Sequence, residues 1–302
     1  MKSTPKPKAN NKTTAKPQPQ VQAASDIDTQ ALVYLQKTQK RQKLLALVCI
    51  LVAIASFSSY GLYSYHRERT ASDTTGLMQL IGDDTYNRPG NMQNITPNTT
   101  IHRVADGELP PVLDEYLTLY NRNRRMIGWI RIEGTVIDYP VLQTVNNEYY
   151  LDRDFYQEFN RNGSIFMDYR NTLYPRSTNL IIYGHRMRTG QMFGHLQRYE
   201  NQSYFEEHPL IHFDTIYEKG VYQVMYTFRS RVYNTDEIVF KYYQFFDVNS
   251  AEEFYSNMQE MAAMSYYDTG VTATFGDQLL TLSTCDDIDP EGRFVVVAKR
   301  IE

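Results

Sequence analysis

Cysteine is almost absent: 302 residues hold two, Cys49 and Cys285, beside a single tryptophan. So few thiols exclude the disulfide framework of small secreted domains and the paired-cysteine spacing of zinc modules. No glycine-rich phosphate loop, histidine–cysteine cluster or internal repeat occurs, so no metal or cofactor is expected. Long apolar runs are also missing, with one exception.

That exception, LLALVCILVAIASFSSYGLYSY, covers Leu44 to Tyr65 without a charge. As a helix, 22 residues span roughly 33 Å, which matches a bilayer core of about 30 Å. Nine Lys/Arg precede it against Asp26 and Asp28, so residues 1–43 carry +7 while the whole chain carries −4. Basic residues abutting an apolar span hold the N-terminus in the cytoplasm, so a single-pass membrane protein with its remainder outside is predicted. A cleaved signal peptide, with Ala53-Ile54-Ala55 as its site, fits less well, because its basic leader would be 43 residues long. Cys49 then lies in the membrane, and Cys285 has no partner in its own chain. An exported lone thiol is a buried small hydrophobe, an intermolecular link or a nucleophile.

Composition divides the rest. Residues 1–43 form a basic cytoplasmic tail whose Lys-, Pro- and Gln-rich first 36 residues predict disorder. Residues 44–65 are the membrane anchor. Residues 66–108, with SDTTG, GDDTYNRPGN and NITPNTT, read as a spacer. Residues 109–302 remain for one folded domain. Leu113, Leu117 and Tyr120 predict an amphipathic helix behind Pro110 and Pro111. Eight short β-rich runs follow, from WIRI through VIDYPVL, GSIFMD, NLIIYG, LIHFDT, VYQVMYTFR and QLLTLST to RFVVVAKR, and predict a mainly antiparallel barrel or sandwich. GQMFGHLQRYE predicts a second helix, with Met192, Leu196 and Tyr199 on one face. NSAEE predicts a third, with Ser250 and Glu253 as a capping box and Phe254, Met258 and Met261 facing the core.

Period-2 alternation puts Thr281, Ser283 and Cys285 on one face of the LLTLSTC run. The loop DDIDPEG reverses the chain, and a simple hairpin sets Arg293 opposite Cys285. A thiol with a pKa of about 8.5 is only a few per cent thiolate at neutral pH, so a nucleophile needs a base or a cation nearby. Arg293 supplies a permanent cation with five donors, suited to a developing oxyanion. Of six histidines, His66 is juxtamembrane and His102 falls in the spacer, while Pro209 spoils a helical zinc pair between His208 and His212. His195 belongs to the second helix and His212 to a strand run. His185 follows NLIIYG at a strand-to-loop edge, where functional side chains are displayed.

TLSTC with an arginine eight residues later, together with IIYGHRM, GWI, YPVLQ and GSIFMD, resembles the sortases, membrane-anchored cysteine transpeptidases of Gram-positive bacteria. The resemblance covers roughly residues 110–302. It implies an eight-stranded sortase-type β-barrel, with Cys285, His185 and Arg293 matching the catalytic residues. The helix from Ser250 to Met264 between the penultimate strands, and the N-terminal helix, resemble class B. No Asp-Pro-aromatic lid of the pilus-building class C is found. The resemblance also suggests Asn147 and Ser283 as substrate contacts. Its implied partners are surface proteins or pilins with a C-terminal sorting signal, and a peptidoglycan-precursor or pilin-lysine amine; no nucleic acid is expected. A pilin-polymerising class B enzyme, a secreted cysteine peptidase that uses water, and a non-catalytic adhesin are the competing readings.

Overall fold

The computed structural model describes residues 19–81, 109–285 and 291–302. Residues 82–108 of the spacer, with His102, and the loop carrying Asp286, Asp287 and Asp289 lie outside the described residues.

A single long helix, α1 (Pro19–Met78), contains the apolar run. Its candidate membrane span covers Leu32–Tyr65, with none of its most apolar window buried by protein. The helix overruns the expected boundaries on both sides. Residues 19–36, predicted disordered, are helical, because Ala, Gln and Leu there are good helix formers once nothing interrupts the run. The first part of the predicted spacer is helical too, and Leu77 near the end of α1 is buried. The chain divides into two compact units after Tyr63.

In the second unit, α2 (Asp114–Arg122) packs Tyr116, Leu119 and Tyr120 inward. The buried stripe is rotated by one residue from the expected Leu113–Leu117–Tyr120 face, and Leu117 is only half-buried. All eight predicted runs are strands: β1 (Met126–Arg131), β2 (Asp138–Leu142), β3 (Ile165–Met167), β4 (Asn179–Gly184), β5 (Leu210–Thr215), β6 (Val221–Arg231), β7 (Leu279–Cys285) and β8 (Gly292–Arg300). They close in the order β1-β2-β3-β4-β7-β8-β6-β5, so no edge is left unpaired among the described strands. Pairing is antiparallel except between β2 and β3 and between β4 and β7. Parallel neighbours need a long crossover, which the 94-residue interval between β4 and β7 supplies.

Every strand contributes to one apolar cluster, the barrel interior; β7 sends in the alternate residues Leu280 and Leu282, and β8 sends in Phe294, Val296 and Ala298. On the outer face, Phe254, Met258 and Met261 of α4 (Ala251–Met264) cover Met225, Phe228, Val295 and Val297. Burying each such side chain contributes about 1.5–3 kcal/mol. The helix starts where predicted: Ser250 Oγ accepts from the Glu253 amide at 3.1 Å. The return bond differs from the expected box, since Glu253 Oε2 accepts from the Asn249 amide at 3.1 Å.

GQMFGHLQRYE is not one helix. A 3₁₀ turn occupies Leu196–Glu200, a short α3 (Gln202–Glu207) follows, and the residues before it form turns. Gly190 adopts φ +84° and Met192 φ +54°, which no α-helix admits. Apolar spacing was correct for burial, since Met192, Leu196 and Tyr199 are all in the core, but did not specify the backbone.

Candidate active site

Hydrogen-bond register places the candidate residues. Across the parallel β4–β7 pair, Tyr183 lies beside Ser283 and Gly184 beside Thr284. The next step along each strand is His185 and Cys285. Across the antiparallel β7–β8 pair, Cys285 faces Arg293. Neighbouring strands lie about 4.8 Å apart, so three adjacent strand ends bring His185, Cys285 and Arg293 to one rim.

The rim opens on a groove of about 290 Å³, lined by Asn147, Tyr183, His185, Tyr242, Ser283 and Arg293 among others. It lies on the outer barrel face, because the alternate residues Leu280 and Leu282 point inward. His185 leaves β4 after Gly184, where a side chain would run into Ile165 and, at 2.8 Å, Phe193. His185 Nε2 lies 2.7 Å from the Leu151 carbonyl. A carbonyl only accepts, so Nε2 is the donor in this contact. The His185 carbonyl accepts from the Phe193 amide at 3.0 Å, which anchors the loop beyond it. Arg293 Nη1 donates to the Gly292 carbonyl at 2.7 Å, holding the guanidinium at the start of β8.

Ser283 and Asn147, expected as peptide contacts, both line the groove and are both held by protein partners. Ser283 Oγ and Tyr242 Oη are 2.7 Å apart. Asn147 Nδ2 donates to Asp168 Oδ2 at 2.9 Å, and its Oδ1 accepts from the Tyr169 amide at 3.0 Å. Ser283 is fully buried and shapes the wall, whereas Asn147 is partly exposed at it. His195 lies away from this groove, at the start of the 3₁₀ turn; burial and the Arg198 charge lower its pKa.

Sequence reading missed Asp168, Arg170, Tyr183 and Tyr242. Tyr183 donates to Asp168 Oδ2 at 3.0 Å, and burial, then the Asp168 charge, push its phenol well above its ordinary pKa. It stays a neutral donor. Arg170 grips Asp168 from Nε at 2.9 Å and Nη2 at 2.8 Å. Asp168, Arg170 and Tyr183 stand inside the MDYR and YGH segments, yet nothing in their spacing shows that they meet.

The Sortase domain family profile matches residues 130–301, more than half the chain. The chain belongs to the sortase family. It is 36% identical over 193 residues to sortase B of Staphylococcus aureus (strain NCTC 8325 / PS 47), covering 63% of this chain and 76% of the relative. A Staphylococcus aureus sortase B–substrate complex superposes with a TM-score of 0.58 at 36% identity, over 63% of this chain and 86% of that one. A sortase B structure complexed with triglycine gives 0.57 at 36% identity, over 62% and 86%. This sortase is accordingly a cysteine transpeptidase of class B character.

Proposed function

We infer that this sortase cleaves a C-terminal sorting signal of surface proteins and transfers the new carbonyl end to an amine of the cell-wall precursor. Cys285 is the nucleophile. Its thiol passes its proton to His185 as the sulfur attacks the scissile carbonyl, Arg293 donates hydrogen bonds to the oxyanion, and His185 hands that proton to the departing amine as the C–N bond breaks. A thioester remains. The incoming amine attacks it, gives its proton to His185, and expels the thiolate, which restores the enzyme and leaves an amide. Ser283 and Asn147 contact the donor peptide along the groove.

The observation that supports this reading is the single register step that aligns His185, Cys285 and Arg293 on three neighbouring strand ends at the mouth of a groove. The relatives' triglycine and substrate complexes fit a peptide donor and an amine acceptor. Residues 44–65 anchor the enzyme in the cell membrane, residues 1–43 are cytoplasmic, and residues 66–108 tether the catalytic domain, 109–302, outside.

Transfer and hydrolysis separate in one assay. The full-length chain in detergent, given a sorting-signal peptide and triglycine, should yield the triglycine adduct, and Cys285→Ala should abolish it without lowering the melting temperature. Hydrolysed peptide alone would assign a peptidase. An active Cys285→Ala enzyme would remove the thiol from the mechanism, and absence of any acyl-enzyme in the parent would leave an adhesin.

A further inference from the structure

Asp168, the residue after β3, is fully buried and does not line the groove, yet its carboxylate gathers residues that do. Oδ1 accepts from the Arg170 amide at 2.9 Å and from Arg170 Nε at 2.9 Å. Oδ2 accepts from Arg170 Nη2 at 2.8 Å, Asn147 Nδ2 at 2.9 Å and the Tyr183 hydroxyl at 3.0 Å. A carboxylate offers about four lone-pair sites, so these donors saturate it.

Asp168 only accepts and the Tyr169 amide only donates, so between them they fix which end of the Asn147 side chain is the amide nitrogen and which the oxygen. Tyr183 is likewise committed as a donor, which sets the rotation of its hydroxyl above the groove floor.

Arg170 carries the same carboxylate to the opposite wall. Its Nη2 also donates to the Tyr243 carbonyl at 3.1 Å, and its guanidinium lies 4.4 Å from the centre of the Phe246 ring. Tyr243 adjoins Tyr242, whose hydroxyl meets Ser283. Residues 232–250, the part of the β6–β7 connection before α4, hold only the 3₁₀ turn Tyr242–Gln244 as regular structure. Their position at the groove therefore depends on side-chain anchors such as this one.

We propose that Asp168 is a positioning residue that, directly and through Arg170, holds both walls of the peptide groove at the spacing that binds the donor peptide. The role rests on the reading of this groove as the cleavage site. The hydrogen bonds of its carboxylate go to Asn147, Arg170 and Tyr183 and to none of His185, Cys285 or Arg293, so it acts on peptide binding and leaves the chemistry alone.

Asp168→Asn keeps the shape but turns an acceptor toward a donor against Arg170, Asn147 and Tyr183. In full-length enzyme carrying Cys49→Ser, so that Cys285 is the only thiol, the probe is a quenched-fluorophore peptide copied from a sorting signal of the same genome, with triglycine as acceptor. KM for the peptide should rise about ten- to a hundredfold, the effect of losing one or two hydrogen bonds to a buried carboxylate. kcat, KM for triglycine and the pH profile of Cys285 alkylation by iodoacetamide should stay unchanged, as for lost uniform binding. Asp168→Asn with Arg170→Gln removes both charges of the pair, leaving no unpaired charge beside the buried position 168, and this second variant should fold and keep the raised peptide KM. Unchanged peptide KM in either folded variant overturns the proposal. So does a fall in kcat or a displaced alkylation profile, which would put Asp168 in the chemistry, and so does failure of both variants to fold, which would make it a stability residue. A parent enzyme whose peptide cleavage survives Cys285 alkylation would refute the cleavage-site reading itself, whatever Asp168 does.

Discussion

At the scale of single residues, Arg293 separates charge from geometry. Its guanidinium offers a planar fork, whereas lysine offers a point charge. If Arg293 donates to the oxyanion, Arg293→Lys and Arg293→Ala should both lose about 2.7–4 kcal/mol of transition-state stabilisation, roughly a hundred- to a thousandfold in turnover, with little change in melting temperature. Single-turnover acylation measures it; a lysine variant that recovers most of the rate would show that the cation acts through its field on the thiolate. The shared rim position of Cys285, His185 and Arg293 was legible because alternation, an eight-residue hairpin offset and a strand-edge position are local properties. Asp168 was not, because its partners Asn147 and Tyr183 stand 21 and 15 residues away and meet it only when β2, β3 and β4 align.

Among the elements, α4 carries the clearest sequence signal and the simplest test. Ser250→Ala removes the acceptor for the Glu253 amide and should cost about 1 kcal/mol, while Ser250→Gly should cost only a few tenths. For a domain of this size, 1 kcal/mol lowers the melting temperature by about 2–4 °C, which calorimetry resolves. Turnover should be unaffected, since α4 covers the sheet with Phe254, Met258 and Met261 and does not reach the groove. An alanine variant as stable as the parent would show that the Glu253–Asn249 bond suffices to start the helix. The failed helix at GQMFGHLQRYE teaches the complementary point. Its apolar spacing satisfied a helical period, but Gly190 and Gly194 let the backbone turn, and at Gly194 a side chain would meet the Met187 carbonyl oxygen at 2.6 Å. Burial selected the side chains; close backbone packing selected the turns.

For the whole molecule, the charge step across the apolar run predicts the orientation. Protease added to intact protoplasts should digest the chain beyond Tyr65 and spare a small N-terminal fragment, detected by an N-terminal epitope. Protection of the entire catalytic domain would reverse the orientation, and a mature chain starting near Ser56 would indicate signal-peptide cleavage. The apolar span, the eight strands, the capped α4 and the three rim residues were all readable along the chain, because each depends on periodicity, charge or spacing within a few residues. Folding in three dimensions added the rest: the parallel pairing of β4 with β7 that sets His185 beside Cys285, the Tyr242–Ser283 contact, and the Arg170–Tyr243 link between the groove walls. The pairing and the groove contacts join residues tens of positions apart, and no local pattern encodes them. Closure of the barrel brings them together, since each strand's register is fixed by which of its faces is buried.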